Sequence, residues 1–282
     1  MCENDAFKPG ERLRLTRRAF GGLTGAAGVT VLLPPVAYAR DVTGHDVEIA
    51  TPDGTVDAYF VHPASAKAPG VIMWPDIFGL RPAFREMADR LAAEGYAVVV
   101  PNPFYRDVKG PVVDENEELF AAVDRLLPYA RNITPEAVVT DATALAGWLD
   151  RQEAVDPSKK IGVLGFCMSG SYTIRAAAAL PDRVGAAASF HGAGVATGAP
   201  DSPHLLAPQT RATFVFAIAQ NDDAEDPESK NRLKAAFGDR AEVEVYPADH
   251  GWVPPDSPRY DEAQAERAWS RLLVYRTRFL GR

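Results

Sequence analysis

Cysteine is almost absent from this chain: among 282 residues there are only Cys2 and Cys167. That scarcity excludes a disulfide-stapled scaffold. An excess of positive charge is missing too. The 38 acidic side chains outnumber the 30 basic ones for a net of −8, which gives no electrostatic footing for nucleic acid or an anionic membrane surface. There is no internal repeat, low-complexity tract or interdomain linker. Beyond the first forty residues no apolar run approaches the roughly 20 residues that span a bilayer.

What is present is apolar material, 46% of the residues, enough for one large core. The first forty residues read separately. "RLRLTRRAFGGLTGAAGVTVLLPPVAYA" joins a basic segment, a weakly apolar run and a small-residue ending, the pattern of an export signal. Thr16, Arg17, Arg18 and Phe20 fit the twin-arginine type, and Ala37-Tyr38-Ala39 has the form of a cleavage site. A membrane anchor is the competing reading, but the run from Ala19 to Val36 holds four glycines and ends in two prolines. The expectation is a signal over residues 1–39, a single domain over 40–282, and a periplasmic or secreted protein with no stable membrane association after cleavage. The signal carries five basic and three acidic residues, so its removal leaves −10. It also leaves Cys167 as the one thiol, which in an oxidising compartment must be buried or employed.

Along the rest of the chain, "VEIATP", "VDAYFVHP", "PGVIMWP", "EGYAVVVPNPF", "KKIGVLGF", "RVGAAASFHG", "TFVFAIAQND" and "AEVEVYPADH" read as strands. The middle ones are continuously apolar, as strands covered on both faces are. Helix-like segments alternate with them at 81–94, 116–129, 135–153, 171–179, 227–237 and 261–279. The pattern is that of an α/β fold: a mostly parallel central sheet with helices on both faces. An antiparallel hairpin turning at Asp53-Gly54 forms one edge. The Gly/Pro-rich stretch 194–209 is long for a loop and is a candidate wall or lid of a site.

"GFCMSGS", residues 165–171, lies between an apolar strand and an alanine-rich helix. Small residues two before and two after a nucleophile make a nucleophile elbow, which holds the side chain exposed above the sheet edge. Here Gly165 and Ser169 flank Cys167. The following helix start favours a thiolate, and Met168 would supply one N–H of an oxyanion hole. The bland reading is a buried core cysteine. Partners in the α/β-hydrolase order settle the balance: an acid after the next-to-last strand, Asp222 or its neighbour Asp223, and His250 after the last. The division of labour is Cys167 as nucleophile, His250 as proton acceptor and donor, and the acid as orienter. Asp76 follows the third strand, where the second oxyanion donor belongs, with Ile77 N–H as candidate. Asp76 itself could meet the resting thiol or His250, or simply cap a helix. His191 could line the site or bond within its loop; His45, His62 and His204 are weaker candidates. Ser169 and Ser171 are off the centre of the elbow.

The set resembles the dienelactone hydrolase (carboxymethylenebutenolidase) family of the α/β-hydrolase superfamily. The match runs from about Val47 to Phe279 through "TPDGTVDAYFVHP", "PDIFGLRP", "VVPNPFYR", "GFCMSGS", "AIAQND" and "YPADHGW". The resemblance implies a triad of Cys167, His250 and Asp222 acting on a small-molecule ester or lactone without metal or organic cofactor. It implies that Arg106, with its neighbour Tyr105, binds a substrate carboxylate. It also gives the acid after the third strand a part in thiol activation, although Asp76 stands where a glutamate is usual. A second arginine expected soon after the histidine is replaced by Pro254, with Arg259 a possible stand-in. A redox-sensing or noncatalytic thiol protein on the same fold is the rival reading.

Overall fold

A computed structural model describes residues 41–279 apart from 115 and 116. The expected signal, 1–39, lies outside the described residues. All eight expected strands form: β1 (Val42–Thr51), β2 (Gly54–Pro63), β3 (Gly70–Trp74), β4 (Ala97–Pro101), β5 (Ile161–Phe166), β6 (Val184–Phe190), β7 (Thr213–Ala219) and β8 (Ala241–Tyr246). They make one sheet in the order β1-β2-β4-β3-β5-β6-β7-β8. β1 and β2 pair antiparallel through the turn before Gly54, β2 joins β4 antiparallel, and the remaining pairs are parallel.

The continuous apolar strands serve two cores at once, because successive side chains point to opposite faces. Ile72, Trp74, Val99 and Val163 enter one core, which α3 (Pro135–Leu149), α4 (Gly170–Ala179) and α6 (Ser229–Phe237) cover with Leu145, Ile174 and Phe237. Val71, Met73, Val98, Leu164 and Phe166 enter the other, beneath α1 (Pro82–Ala93) and α7 (Glu262–Phe279) with Phe84, Leu91 and Trp269. Each large side chain buried in these layers contributes roughly 1.5–3 kcal/mol.

Two expectations about boundaries are corrected. The segment 116–129 is not one helix. A 3₁₀ turn, Leu119–Ala122, precedes α2 (Val123–Asn132), because the Glu118 carboxylate accepts the Phe120 and Ala121 N–H groups at 3.2 and 2.9 Å and winds the chain tightly there. The strand "TFVFAIAQND" stops at Ala219, and Gln220–Glu225 form the short α5. Asp222 and Asp223 thus sit on a helix, where consecutive side chains diverge by about 100°. The loop 194–209 is partly ordered by a 3₁₀ stretch, Pro203–Gln209.

The sheet edge near Cys167 is packed without room for side chains on its glycines. A Cβ at Gly165 would fall 2.1 Å from Ser169 O, and one at Gly170 would fall 2.4 Å from Gly192 Cα. Gly198, by contrast, has nothing within 4 Å of a built Cβ. Gly165→Ala is expected to lower stability by about 1–3 kcal/mol or more, and Gly198→Ala to stay within about 0.5 kcal/mol, measured by urea denaturation. Equal effects would contradict this packing.

Candidate active site

β5 delivers the chain to Cys167, whose backbone takes φ 56° before a 3₁₀ turn, Cys167–Ser169, runs into α4. A left-handed non-glycine residue costs on the order of 1–3 kcal/mol and persists only when its surroundings hold it. They do so from both sides. Ser169 Oγ accepts the Phe166 N–H at 2.8 Å, and itself lies 2.9 Å from both Trp74 O and Phe166 O, to which its hydroxyl can donate. Cys167 O accepts the Ala193 N–H at 2.9 Å. Cys167 is a free, half-buried thiol. Ser169 is fully buried and spent on the turn, while the Ser171 hydroxyl points back to Met168 O at 3.4 Å. The hydroxyls adjoining the elbow are therefore structural.

His250 follows β8. Its N–H donates to Asn221 Oδ1 at 2.7 Å, and its Nδ1 lies 2.8 and 3.0 Å from the two carboxylate oxygens of Asp222. Burial opposes the imidazolium, but the Asp222 carboxylate on Nδ1, together with the neighbouring Cys167, outweighs it and pushes the His250 pKa up to about 10. Asp223 turns the other way, accepting Lys230 Nζ at 2.7 Å. Of the two adjacent acids, only Asp222 meets the histidine.

His191, at the end of β6, is wholly buried with φ 39°. Its ring centroid lies 5.0 Å from that of His250 at 65°. Both ring nitrogens lack a hydrogen-bond partner, so the loop-bonding reading fails for the side chain. Burial and the neighbouring His250 hold its pKa well below the usual range. It is an uncharged ring behind His250. His45, His62 and His204 do not join this group: the first two flank Phe60 on the hairpin, and His204 bonds Ser202.

The turn after β3 sets Ile77 against a small apolar cluster that also takes Met168, Phe78, Phe104 and Leu126. Ile77 N–H has no backbone acceptor among the described turn and loop bonds, and Met168 N–H lies in the first turn of a helix, where amides have no intrahelical acceptor. Asp76 does not reach for the thiol. Its Oδ1 accepts the Phe78 N–H at 2.9 Å, and its two oxygens accept Arg81 Nη1 and Nη2 at 2.7 and 3.0 Å.

Arg106 is held by two acidic side chains. Its guanidinium donates to both oxygens of Asp141 at 2.7 and 2.8 Å, and to Asp53 Oδ2 at 2.6 and 3.2 Å. Tyr105 donates to Asp141 Oδ1 at 2.7 Å and stacks under the same guanidinium at 4.5 Å. Two carboxylates already neutralise this arginine. Arg259 instead lies over the Phe120 ring at 5.1 Å and donates to His250 O at 3.2 Å. Sequence reasoning missed Arg81, Asp141 and Asn221, whose partners lie 5 to 175 residues away in the chain. No group of three or more metal-ligating side chains occurs among the described residues.

The raised pKa of His250 has a sign that can be checked. Between its ordinary value of 6.5 and about 10, the folded protein holds a proton that the unfolded chain releases. That contribution to stability is full below the lower value and is lost as pH rises through the upper one. The gap in thermal midpoint between wild type and His250→Gln is expected to be widest near about pH 6 and to close towards about pH 10. Asp222→Asn should lower turnover by about 10²–10⁴-fold, and Asp223→Asn by far less. A gap that widens with pH, or the reverse ranking of the two acids, would contradict the geometry.

Comparison with known proteins agrees with this architecture. The profile of the dienelactone hydrolase family matches residues 56–279. A carboxymethylenebutenolidase of Rhodococcus opacus is 28% identical over 238 residues, 80% of this chain and 88% of that protein. Among solved structures, a dienelactone hydrolase-like promiscuous phosphotriesterase from metagenomic libraries superimposes with a TM-score of 0.66 at 20% identity, over 84% of this chain and 99% of that one. The dienelactone hydrolase of Anabaena variabilis does so with 0.59 at 16% identity, over 85% and 99%. With the matched span running from β2 through α7, taking in the elbow and both of its partners, the chain belongs to the dienelactone hydrolase family.

Proposed function

We propose that this protein is a carboxylic ester or lactone hydrolase that works through a cysteinyl acyl-enzyme. The observation that carries the reading is the left-handed Cys167 at a strand-to-helix turn, with His250, whose Nδ1 Asp222 holds, as its electrostatic neighbour. The Cys167 thiolate attacks the carbonyl carbon. The oxyanion that forms is received by the N–H groups of Ile77 and Met168. The His250 imidazolium gives its proton to the departing alkoxide as the tetrahedral centre collapses, leaving an acyl-cysteine. Neutral His250 then takes a proton from water, the hydroxide adds to the acyl carbon, and a second collapse expels the carboxylic acid and restores the thiolate. Asp222 keeps the Nδ1 proton in place throughout and stabilises the cation.

Arg106 and Arg81 are both balanced by acids, and Arg259 is turned onto the His250 carbonyl and the Phe120 ring. Arg106 is paired with Asp141 and Asp53, and Arg81 with Asp76 and Asp256. Each arginine meets two carboxylates, so neither offers a net positive pocket. The substrate class proposed is therefore a small neutral ester or lactone.

The leader supports a further reading, that the chain is exported by the twin-arginine route to the periplasm or beyond. Among the described residues no helix is long and apolar enough to cross a membrane. An exported protein whose N-terminus is Arg40, and intracellular retention when Arg17 and Arg18 are both changed to Lys, are the expected results. An unprocessed N-terminus in the exported fraction would contradict the cleavage site.

The activity reading is tested on a panel of short-chain p-nitrophenyl esters and small lactones, each neutral acyl group matched with a carboxylate-bearing one. Wild type should prefer the neutral member. Arg106→Ala should leave that ratio unchanged, and a selective loss on carboxylate-bearing esters would return Arg106 to anion binding. Cys167→Ala should lose at least about 10³-fold in kcat/KM; hydrolysis at the wild-type rate would overturn the mechanism.

A further inference from the structure

Arg81 is buried at the N-terminus of α1 and spends every one of its N–H donors. Nε reaches Asp256 Oδ2 at 2.6 Å. One Nη1 proton goes to Asp76 Oδ1 at 2.7 Å and the other to Gly79 O at 3.3 Å. Nη2 serves Asp76 Oδ2 at 3.0 Å and Asp256 Oδ1 at 2.9 Å. A guanidinium has five such donors in a rigid fork, and here five contacts fill it. The rings of Phe78 and Phe84 flank it at 5.5 and 5.0 Å, which further fixes its plane.

The two carboxylates come from different loops. Asp76 opens the turn 76–79, where its backbone oxygen also accepts the Gly79 N–H at 3.0 Å, and Ile77 lies inside that turn. Asp256 belongs to the segment that follows His250 and stands 175 residues from Arg81 in the chain. The geometry points to Arg81 as a positioning residue that sets the separation between the Ile77 turn and the His250 loop, and that withdraws Asp76 from thiol activation. This rests on the assignment of Ile77, Cys167 and His250 above. Lysine could not replace it, since a single ammonium cannot bridge two carboxylates in bidentate fashion. Both Asp76 oxygens are taken by Arg81, and Oδ1 also accepts the Phe78 N–H, which turns this carboxylate toward its own loop and α1.

Asp256 has a partly exposed side chain, so Asp256→Asn unties one end of the strut with little risk to folding. Kinetics on p-nitrophenyl acetate, together with the pH midpoint for alkylation of Cys167 by iodoacetamide, read out the two halves of the inference. Asp256→Asn and Arg81→Lys are expected to lower kcat by about 10–100-fold, the scale of a misplacement of about 1 Å, with KM within about threefold, and Asp256→Glu to recover part of the loss. Asp76→Asn should leave the alkylation midpoint where wild type has it. Full kcat in Asp256→Asn would overturn the strut, and an alkylation midpoint displaced by a pH unit or more in Asp76→Asn would overturn the withdrawal of Asp76 from thiol activation. Cys167→Ala separates the two layers of argument. If it stays active, the assignment of the site has failed; if it is dead while Asp256→Asn is fully active, only the strut has failed.

Discussion

The left-handed backbone of Cys167 is the constraint on which the rest of the site depends. A strand must end, reverse its backbone hand for one residue and enter a helix, and every atom around that event is committed to it. Gly165, Gly170 and Gly192 leave no space for a side chain. The Ser169 hydroxyl stitches the turn to β3, and the Ala193 N–H holds the Cys167 carbonyl from the end of β6. Cys167 and His191 are the two non-glycine residues with positive φ among those described, and both stand beside His250. Strain concentrated at two adjoining positions on one sheet edge is what a preorganised site requires, because the parallel sheet beneath is rigid enough to sustain it.

Charge is arranged to match. The acidic excess of the chain does not reach the thiol as loose carboxylates. Asp222 is aimed at His250, Asp223 at Lys230, Asp76 at Arg81, and Asp141 at Arg106 and Tyr105. What remains next to Cys167 is one cationic imidazole backed by the neutral ring of His191. In the mechanism proposed above, the proton passes between Cys167 and His250 with little reorganisation of the surroundings.

Much of this was legible in the sequence, and the parts that were not share a cause. The central strands, buried on both faces, are uninterrupted apolar runs and could be read as such, and the elbow is a local pattern of small residues around Cys167. The order of Asp222 and His250 along the chain follows from strand order. The choice between Asp222 and Asp223 does not, because α5 has six residues and no apolar face to announce it, and on a helix a step of one residue redirects the carboxylate. Arg106 appeared free in the sequence because its partners, Asp53 and Asp141, are 53 and 35 residues away. Arg81 opens a segment that reads as a helix, and only the fold places its Nε 2.6 Å from an oxygen of Asp256, 175 residues on. Pairing over such separations belongs to tertiary structure and leaves no periodic trace.

The central claim is that Cys167 becomes acylated with His250 as its proton partner. Rapid acid quench of wild-type enzyme during turnover of an activated ester, followed by intact and peptide mass spectrometry, tests it most directly. The account predicts a transient acyl increment confined to the peptide containing Cys167, accumulating on a millisecond-to-second scale and failing to form at a comparable rate in His250→Ala. An acyl group on any other residue, or rapid turnover with Cys167 never modified, would contradict it.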